Sequence, residues 1–131
     1  MYADSSALVK LVVREPESTA LASAMPSDTV VATSEVALVE IARAVRVSGL
    51  AADLEHELVD VLQGCVFVAV ESQILRSAAS LASERLRPLD AIHLATAVAI
   101  VPDVMYVYDR RLADAARELG LRVEAPGAQL A

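Results

Sequence analysis

The sequence predicts an α/β protein, a three-layer sandwich in which a short, mainly parallel sheet has helices on both faces. Short apolar runs of strand length, clearest at residues 66–70 and 104–108, alternate with longer segments of helical pattern. Such alternation is typical of parallel sheets, whose strands are joined by helices and buried on both faces. The chain has 131 residues, 56% of them hydrophobic, and contains no repeat or linker. We therefore expect a single domain, 1–131.

The predicted elements follow one another in regular order, and most boundaries coincide with a proline, a glycine or a polar residue. The predicted strands are residues 1–3, 30–32, 66–70, 104–108 and 121–123. The predicted helices are residues 5–12, 19–25, 36–49 (capped by 33–35), 51–63, 72–85, 90–101 and 110–119. This order supplies the helical connections that a parallel sheet requires.

The helix that follows Pro88 is the most apolar segment of the chain. From residue 91 to residue 101 only His93 and Thr96 are polar, so we predict a buried core helix. The segment is well short of the ~20 residues that span a bilayer. Asp90 begins this helix, and its local role would be to satisfy N–H groups of the first turn. His93 either orients a carboxylate or a leaving group, or is a hydrogen-bonded structural histidine.

Three further acids, Asp4, Glu40 and Asp109, interrupt or end apolar runs as Asp90 does. Asp4 and Asp109 follow predicted strands, and open parallel sheets bind ligands beyond the C-terminal ends of their strands, near a topological switch point. Each acid also has a local explanation: a helix cap for Asp4 and Asp109, and an ion pair with Arg43 for Glu40. We hypothesise that the four carboxylates converge at one edge of the sheet.

Convergent carboxylates would form a site for a hard divalent cation. Carboxylates brought close together repel one another unless protons or cations compensate their charge. Oxygen ligands favour Mg²⁺, with Mn²⁺ as an alternative, whereas the sequence has neither a Cys/His cluster typical of zinc nor a glycine-rich phosphate loop. Because such a cation activates water and neutralises charge on a phosphoryl group, the pattern favours phosphodiester hydrolysis.

Charge and cysteine content limit the choice of partners and compartment. The formal net charge of −7 argues against a general affinity for nucleic acid, although bound cations would offset clustered acids locally. Cys65 has no mate for an intrachain disulfide and is expected to be a small buried hydrophobic residue in a reduced compartment. The residues before Asp4 lack the features of a secretion signal. We therefore expect a cytoplasmic protein.

Four stretches of the sequence together resemble the acidic motifs of PIN-domain ribonucleases, and the closest resemblance is to VapC-type toxins of bacterial toxin–antitoxin pairs. The stretches occur in the order found in that family, and the resemblance covers essentially the whole chain. They are DSSALVKL beginning at Asp4, EVALVEIAR containing Glu40, LDAIHLATA containing Asp90, and YDRRL containing Asp109.

The resemblance implies a PIN-like fold and the activity of a Mg²⁺-dependent endoribonuclease. By motif, Asp4 and Asp90 would be the principal metal ligands, and Glu40 and Asp109 would complete the catalytic set. Ser6 stands where the family has a Ser or Thr that steadies the first acid. The resemblance also implies an RNA substrate, a homodimer, and a small VapB-type antitoxin whose C-terminal segment lies across the active site.

Arginines near three of these acids are candidates for contacts with RNA. They form the pairs Arg43 and Arg46, Arg85 and Arg87, and Arg110 and Arg111. We expect some of them to hold the RNA backbone, and the alternative for each is a solvated helix face or an ion pair. The high apolar content favours self-association and a groove for an amphipathic antitoxin segment.

Two other functions are compatible with the residues. One is a non-catalytic PIN-like binding module that acts only by dimerising or by sequestering a partner. The other is a Mg²⁺-dependent hydrolase of DNA or of another phosphodiester, because recognition of the 2′-hydroxyl of RNA has no signature in this sequence.

Overall fold

The computed structural model describes residues 1–128, which form five strands and seven helices. The strands are β1 (Tyr2–Ala3), β2 (Val31–Ser34), β3 (Cys65–Val68), β4 (Met105–Tyr106) and β5 (Val123–Glu124). The helices are α1 (Ser5–Val9), α2 (Ser18–Ala24), α3 (Val36–Val47), α4 (Glu55–Gln63), α5 (Ser72–Ala79), α6 (Pro88–Ile100) and α7 (Arg110–Glu118). The predicted α/β class is confirmed.

All neighbouring strands are parallel, and their order across the sheet is β3-β2-β1-β4-β5. The chain builds the sheet outward from β1 to β3 and then returns to the other side of β1 to form β4. The topological switch point therefore lies between β1 and β4. Asp4 and Asp109 follow these two strands, at the edge where such sheets bind ligands.

The two faces of the sheet are covered by separate hydrophobic layers. In β1, Tyr2 packs with Leu94 and Leu112 on the side of α6 and α7. Ala3 points the opposite way and packs with Leu8 and Ile41 on the side of α1 and α3. Because successive side chains alternate across a strand, a strand with helices on both faces buries every residue, and Tyr2 and Ala3 are both fully buried.

The strand predicted at 66–70 is present, but the prediction that it is buried on both faces is wrong. It forms β3, Cys65–Val68, at the edge of the sheet, and the side chain of Val66 is 53% exposed. A continuous apolar run does not distinguish an edge strand from a central one. Cys65 is only half-buried, which corrects the expectation of a buried residue, and this burial raises the pKa of its thiol.

Several predicted helices are shorter in the structure than the sequence suggested. α5 ends at Ala79 instead of residue 85, where the Ser80 hydroxyl donates to the Ser77 carbonyl at 2.9 Å and so competes with helical hydrogen bonding. α1 ends at Val9 instead of residue 12, and α4 begins at Glu55 instead of residue 51. Thr33 and Ser34, predicted to cap α3, belong to β2, but the Ser34 hydroxyl does accept a hydrogen bond from the Val36 N–H at the start of α3, at 3.3 Å.

α6 is buried only in its middle, although the sequence predicted that the whole helix would be buried. Its residues from His93 to Ala97 are buried, whereas Val98 and Ile100 are exposed. The helix ends at Val101, which has a left-handed backbone (φ 48°), because the residue before a proline disfavours the helical conformation. No helix within residues 1–128 has both the length and the apolar character needed to cross a membrane.

Candidate active site

Asp4 lies directly after β1 and is the N-cap of α1. Its Oδ1 accepts hydrogen bonds from the Ser6 hydroxyl at 2.6 Å and from the Ala7 backbone N–H at 3.1 Å. Only 4% of the residue is exposed. Burial raises the pKa of Asp4 to about 6, against the opposing effects of His93 and of the two hydrogen bonds, while the charge of Glu40 raises it further. Asp4 is therefore a carboxylate for which ionisation is costly in the absence of a cation.

Ser6 connects the ends of the two strands at the switch point. Its hydroxyl donates to Asp4 and accepts a hydrogen bond from the backbone N–H of Tyr108 at 2.9 Å. Asp109 follows Tyr108 and is the N-cap of α7, where its Oδ1 accepts from the Leu112 N–H at 3.0 Å. Asp4 and Asp109 are thus helix caps, as their local explanations predicted, and they also follow the two adjacent strands β1 and β4 at the switch point.

Asp90 lies in the first turn of α6 and is half-buried. Burial raises the pKa of Asp90, and the charges of Asp109 and Glu40 raise it further, while the backbone N–H of Arg87 and the nearby His93 oppose the increase. These mutual effects mean that Asp90 lies within electrostatic reach of two of the other acids.

Glu40 approaches the same edge from α3, on the opposite face of the sheet from α6. Its Oε1 accepts a hydrogen bond from the Ser5 hydroxyl at 2.7 Å and lies 2.8 Å from Nε2 of His93. Partial burial raises the pKa of Glu40, but the hydrogen bonds from His93 and Ser5 outweigh it and leave the pKa below its usual range. The predicted alternative, an ion pair with Arg43, is not formed: within residues 1–128 the only basic side chain in contact with the Glu40 carboxylate is the imidazole of His93.

His93 is 1% exposed and is hydrogen-bonded through both ring nitrogens, with Nδ1 lying 2.6 Å from the Tyr2 hydroxyl. It is therefore a structural histidine that also contacts a carboxylate. Tyr2 and Ser5 also belong to this network, and neither was predicted to do so from the sequence. The signal for Tyr2 was its position in a strand buried on both faces, where a tyrosine hydroxyl requires a partner.

The four acids fit a magnesium ion held by few protein ligands. Within residues 1–128, no three Asp, Glu, His or Cys side chains form a group that could hold a metal ion together. Mg²⁺ is usually bound through one or two carboxylates and keeps several of its waters, so a closed three-ligand cage is not required. The donors are all oxygen atoms, and the raised pKa values of Asp4 and Asp90, to which the charge of Glu40 contributes, favour a cation beside them.

The arginines of the three predicted pairs are all exposed, four of them on helices and two, Arg85 and Arg87, in the loop before α6. None of them forms an ion pair with an acid in the part of the chain that the structure describes. Arg110 and Arg111 begin α7 directly after Asp109, and Arg87 is the N-cap of α6. These three cations therefore lie at helix starts close to acids of the site.

Comparison with known proteins identifies the class to which this fold belongs. Residues 1–118 match the PIN domain, and the chain belongs to the PIN-domain family. Within it, the resemblance to VapC-type proteins is confirmed by full-length relatives from Mycobacterium tuberculosis. Ribonuclease VapC46 is 40% identical over 128 residues, covering 96% of this chain and 97% of the relative. Ribonuclease VapC35 is 39% identical over 136 residues, covering 97% of each, and Ribonuclease VapC47 is 34% identical over 134 residues, covering 98% of each.

A solved structure shares the fold at low sequence identity. It is a toxin–antitoxin complex from Klebsiella pneumoniae, whose matching chain superposes with a TM-score of 0.61 at 18% identity. The match covers 82% of this chain and 85% of the other. This likeness supports the three-layer architecture independently of the sequence matches.

Proposed function

We propose that this chain is the toxin of a toxin–antitoxin pair and acts as a Mg²⁺-dependent endoribonuclease. The observation that carries the proposal is that the charge of Glu40, from one helical layer, helps to raise the pKa of Asp4 at the switch point and of Asp90 in the other layer, where the charge of Asp109 acts as well. We infer that these four acids form one site. The names of the full-length relatives, all ribonucleases, support RNA as the substrate.

In this proposal the four acids have different tasks. Asp4 and Asp90 would hold Mg²⁺, since both are carboxylates whose charge is destabilised without a cation. Glu40 and Asp109 would complete the negative surroundings of the ion. When bound, Mg²⁺ lowers the pKa of a water molecule and neutralises charge that develops on the phosphoryl group. Ser6 keeps Asp4 in place, and the two helix caps fix the backbone on either side of the site.

The proposed activity is tested by incubating the purified protein with total RNA, in Mg²⁺ and in EDTA, beside single-stranded DNA and a small phosphodiester. We expect internal cleavage of RNA that requires Mg²⁺ or Mn²⁺. RNA that stays intact with either cation would contradict the proposal and favour a binding module. Equal cleavage of DNA or of the small ester would contradict RNA specificity and favour a general phosphodiesterase.

We propose that Arg110 and Arg111 contact backbone phosphates of the RNA. Replacing one of them with alanine should weaken binding to all RNA sequences and lower the magnitude of the salt slope by ~0.7. Binding is measured with Asp90→Asn as a cleavage-deficient background, at several salt concentrations and with two unrelated RNAs. Arg117→Ala, at the other end of α7, is the matched control.

A loss confined to one RNA would contradict this backbone-contact proposal, because phosphate contacts position a strand without reading its bases. An unchanged salt slope together with altered Mg²⁺ dependence would instead assign these arginines to the acids. The control Arg117 pairs with Asp114 at 3.5 Å, so its replacement should leave the salt slope unchanged.

We also propose that the protein is a homodimer and that an antitoxin covers its active site. The apolar side chains of Val98 and Ile100 on α6, and of Val101 at its C-terminal end, are exposed and could form the contact between two copies of the protein. The toxin–antitoxin complex that shares this fold supports the second partner. Light scattering at micromolar concentration should give the mass of two chains, and a strictly monomeric protein would contradict the dimer.

A further inference from the structure

The Glu40 carboxylate is the end of a buried chain of hydrogen bonds that connects three layers of the molecule. Tyr2 belongs to the central strand β1, His93 to α6 on one face, and Glu40 to α3 on the other face. The contacts are 2.6 Å from the Tyr2 hydroxyl to Nδ1 of His93 and 2.8 Å from Nε2 to Oε1 of Glu40. These two hydrogen bonds therefore link the two helical layers across the C-terminal edge of the sheet.

The donors and acceptors along this chain are consistent with one arrangement of protons. An ionised Glu40 only accepts hydrogen bonds, so Nε2 of His93 carries the proton that bonds it. In a neutral imidazole Nδ1 is then an acceptor, and the Tyr2 hydroxyl donates to it. Burial and, less strongly, the charge of Asp4 raise the pKa of Tyr2, so its hydroxyl keeps the proton that this arrangement requires.

Only one of the two carboxylate oxygens of Glu40 accepts hydrogen bonds in this network. Oε1 accepts from the Ser5 hydroxyl at 2.7 Å and from His93, and Ser5 Oγ also lies 3.2 Å from Nε2. Oε2 receives no hydrogen bond from any residue between 1 and 128. A carboxylate anchored at one oxygen has a fixed plane and presents the other oxygen to whatever binds beside it.

We propose that His93 is a positioning residue: with Tyr2 it fixes one oxygen of Glu40 and leaves the other oxygen for the proposed active site. The proposal rests on the proposed function for the reaction that Glu40 serves. Glu40 belongs to the proposed negative surroundings of the ion, and losing the residues that support a metal site typically changes metal affinity or activity by about 10- to 100-fold. His93 contacts Glu40 directly and Tyr2 contacts His93, so both residues can support the position of the Glu40 carboxylate.

The proton arrangement is tested directly by ¹⁵N NMR of the histidine rings at neutral pH, in the full chain without RNA or cation. The sequence contains two histidines, and the other, His56, has a largely exposed side chain that serves as an internal reference. We expect Nε2 of His93 to be protonated and Nδ1 to be unprotonated. A protonated Nδ1 in the folded protein would overturn the proposal.

The positioning role is tested by the Mg²⁺ dependence of RNA cleavage in matched variants. His93→Leu should raise the Mg²⁺ concentration for half-maximal rate by about 10- to 100-fold. His93→Gln, which keeps an N–H donor for Glu40, should recover most of this loss. Tyr2→Phe should raise the required concentration by about tenfold, whereas Tyr106→Phe should not change it. Tyr106 is also buried in a strand, but its hydroxyl contacts the Ala24 carbonyl at 3.4 Å.

Wild-type Mg²⁺ dependence in Tyr2→Phe and in folded His93→Leu would overturn the proposal, as would an equal loss in Tyr106→Phe. If His93→Leu does not fold, the comparison of His93→Gln with Tyr2→Phe carries the test. The proposed function fails separately, if the wild-type protein does not cleave RNA. In that event Mg²⁺ binding to the same variants, measured by calorimetry without RNA, together with the NMR result, still tests whether His93 positions Glu40.

Discussion

Asparagine in place of Asp4 or Asp90 should reduce Mg²⁺-dependent RNA cleavage by about 100-fold or more while leaving the protein folded. Each substitution removes a carboxylate that we propose as a metal ligand, and loss of a ligand should cost at least as much as loss of a residue that only supports one. The Asp4 variant keeps an oxygen for the hydrogen bonds from Ser6 and Ala7, and Asn is as good an N-cap as Asp. Cleavage rates at saturating Mg²⁺ and circular dichroism spectra provide the measurements.

The control for this prediction is Asp103→Asn. Asp103 is exposed and precedes β4, so it lies at the opposite edge of the sheet from Asp109. Its replacement makes the same change of charge away from the proposed site and should leave cleavage unaltered. Wild-type cleavage by both Asp4→Asn and Asp90→Asn would exclude these acids as the principal metal ligands.

Asp4→Asn should also stabilise the protein at neutral pH, by up to about 3 kcal/mol in EDTA. The pKa of Asp4 is raised from its ordinary value near 4 to about 6 in the folded state, chiefly by burial. Above pH 6 the carboxylate is charged in both states, and the folded state carries the full cost of the buried charge. As the pH falls from 6 to 4 the folded state takes up the proton first, so this cost disappears and wild-type stability rises.

The advantage of the asparagine variant should therefore be largest above pH 6 and small below pH 4. Urea unfolding at a series of pH values measures it. Asp109→Asn is the matched control, because it makes the same exchange at the N-cap of α7, where the side chain is partly exposed, and it should change the pH profile less. An Asp4 variant that is less stable than wild type at pH 7, by an amount that grows with pH, would contradict the effect of burial. Added Mg²⁺ should reduce the difference, because the wild-type protein gains binding energy.

Sequence patterns predicted the layers of this fold better than the exact ends of its elements. Apolar runs between helical segments were sufficient for a parallel sheet, and they correctly located β1 and β4 before Asp4 and Asp109. The same patterns did not show that β3 lies at an edge, because the exposure of Val66 depends on which strands flank it. The early end of α5 depends on Ser80, whose side chain competes locally with the helix.

In the candidate site, too, features set by neighbouring residues were predicted, whereas contacts between residues far apart in the sequence were not. Helix capping by Asp4 and Asp109 was predicted from neighbouring residues, and it proved compatible with their position at the switch point. The contacts of Glu40 were not predictable in this way, since His93 is 53 positions away in the sequence and Tyr2 is a further partner of that histidine across 91 positions. The local alternative, an ion pair with Arg43, was suggested by proximity along the helix and is not formed.

Calorimetric titration with Mg²⁺, and with Mn²⁺ in parallel, tests most directly the central claim that these acids form a cation site. We expect the wild-type protein to bind the cation and Asp90→Asn to bind it at least about tenfold more weakly. Asp103→Asn should bind it as the wild type does. Absence of binding to the wild-type protein, or equal binding to the wild type and Asp90→Asn, would contradict the account.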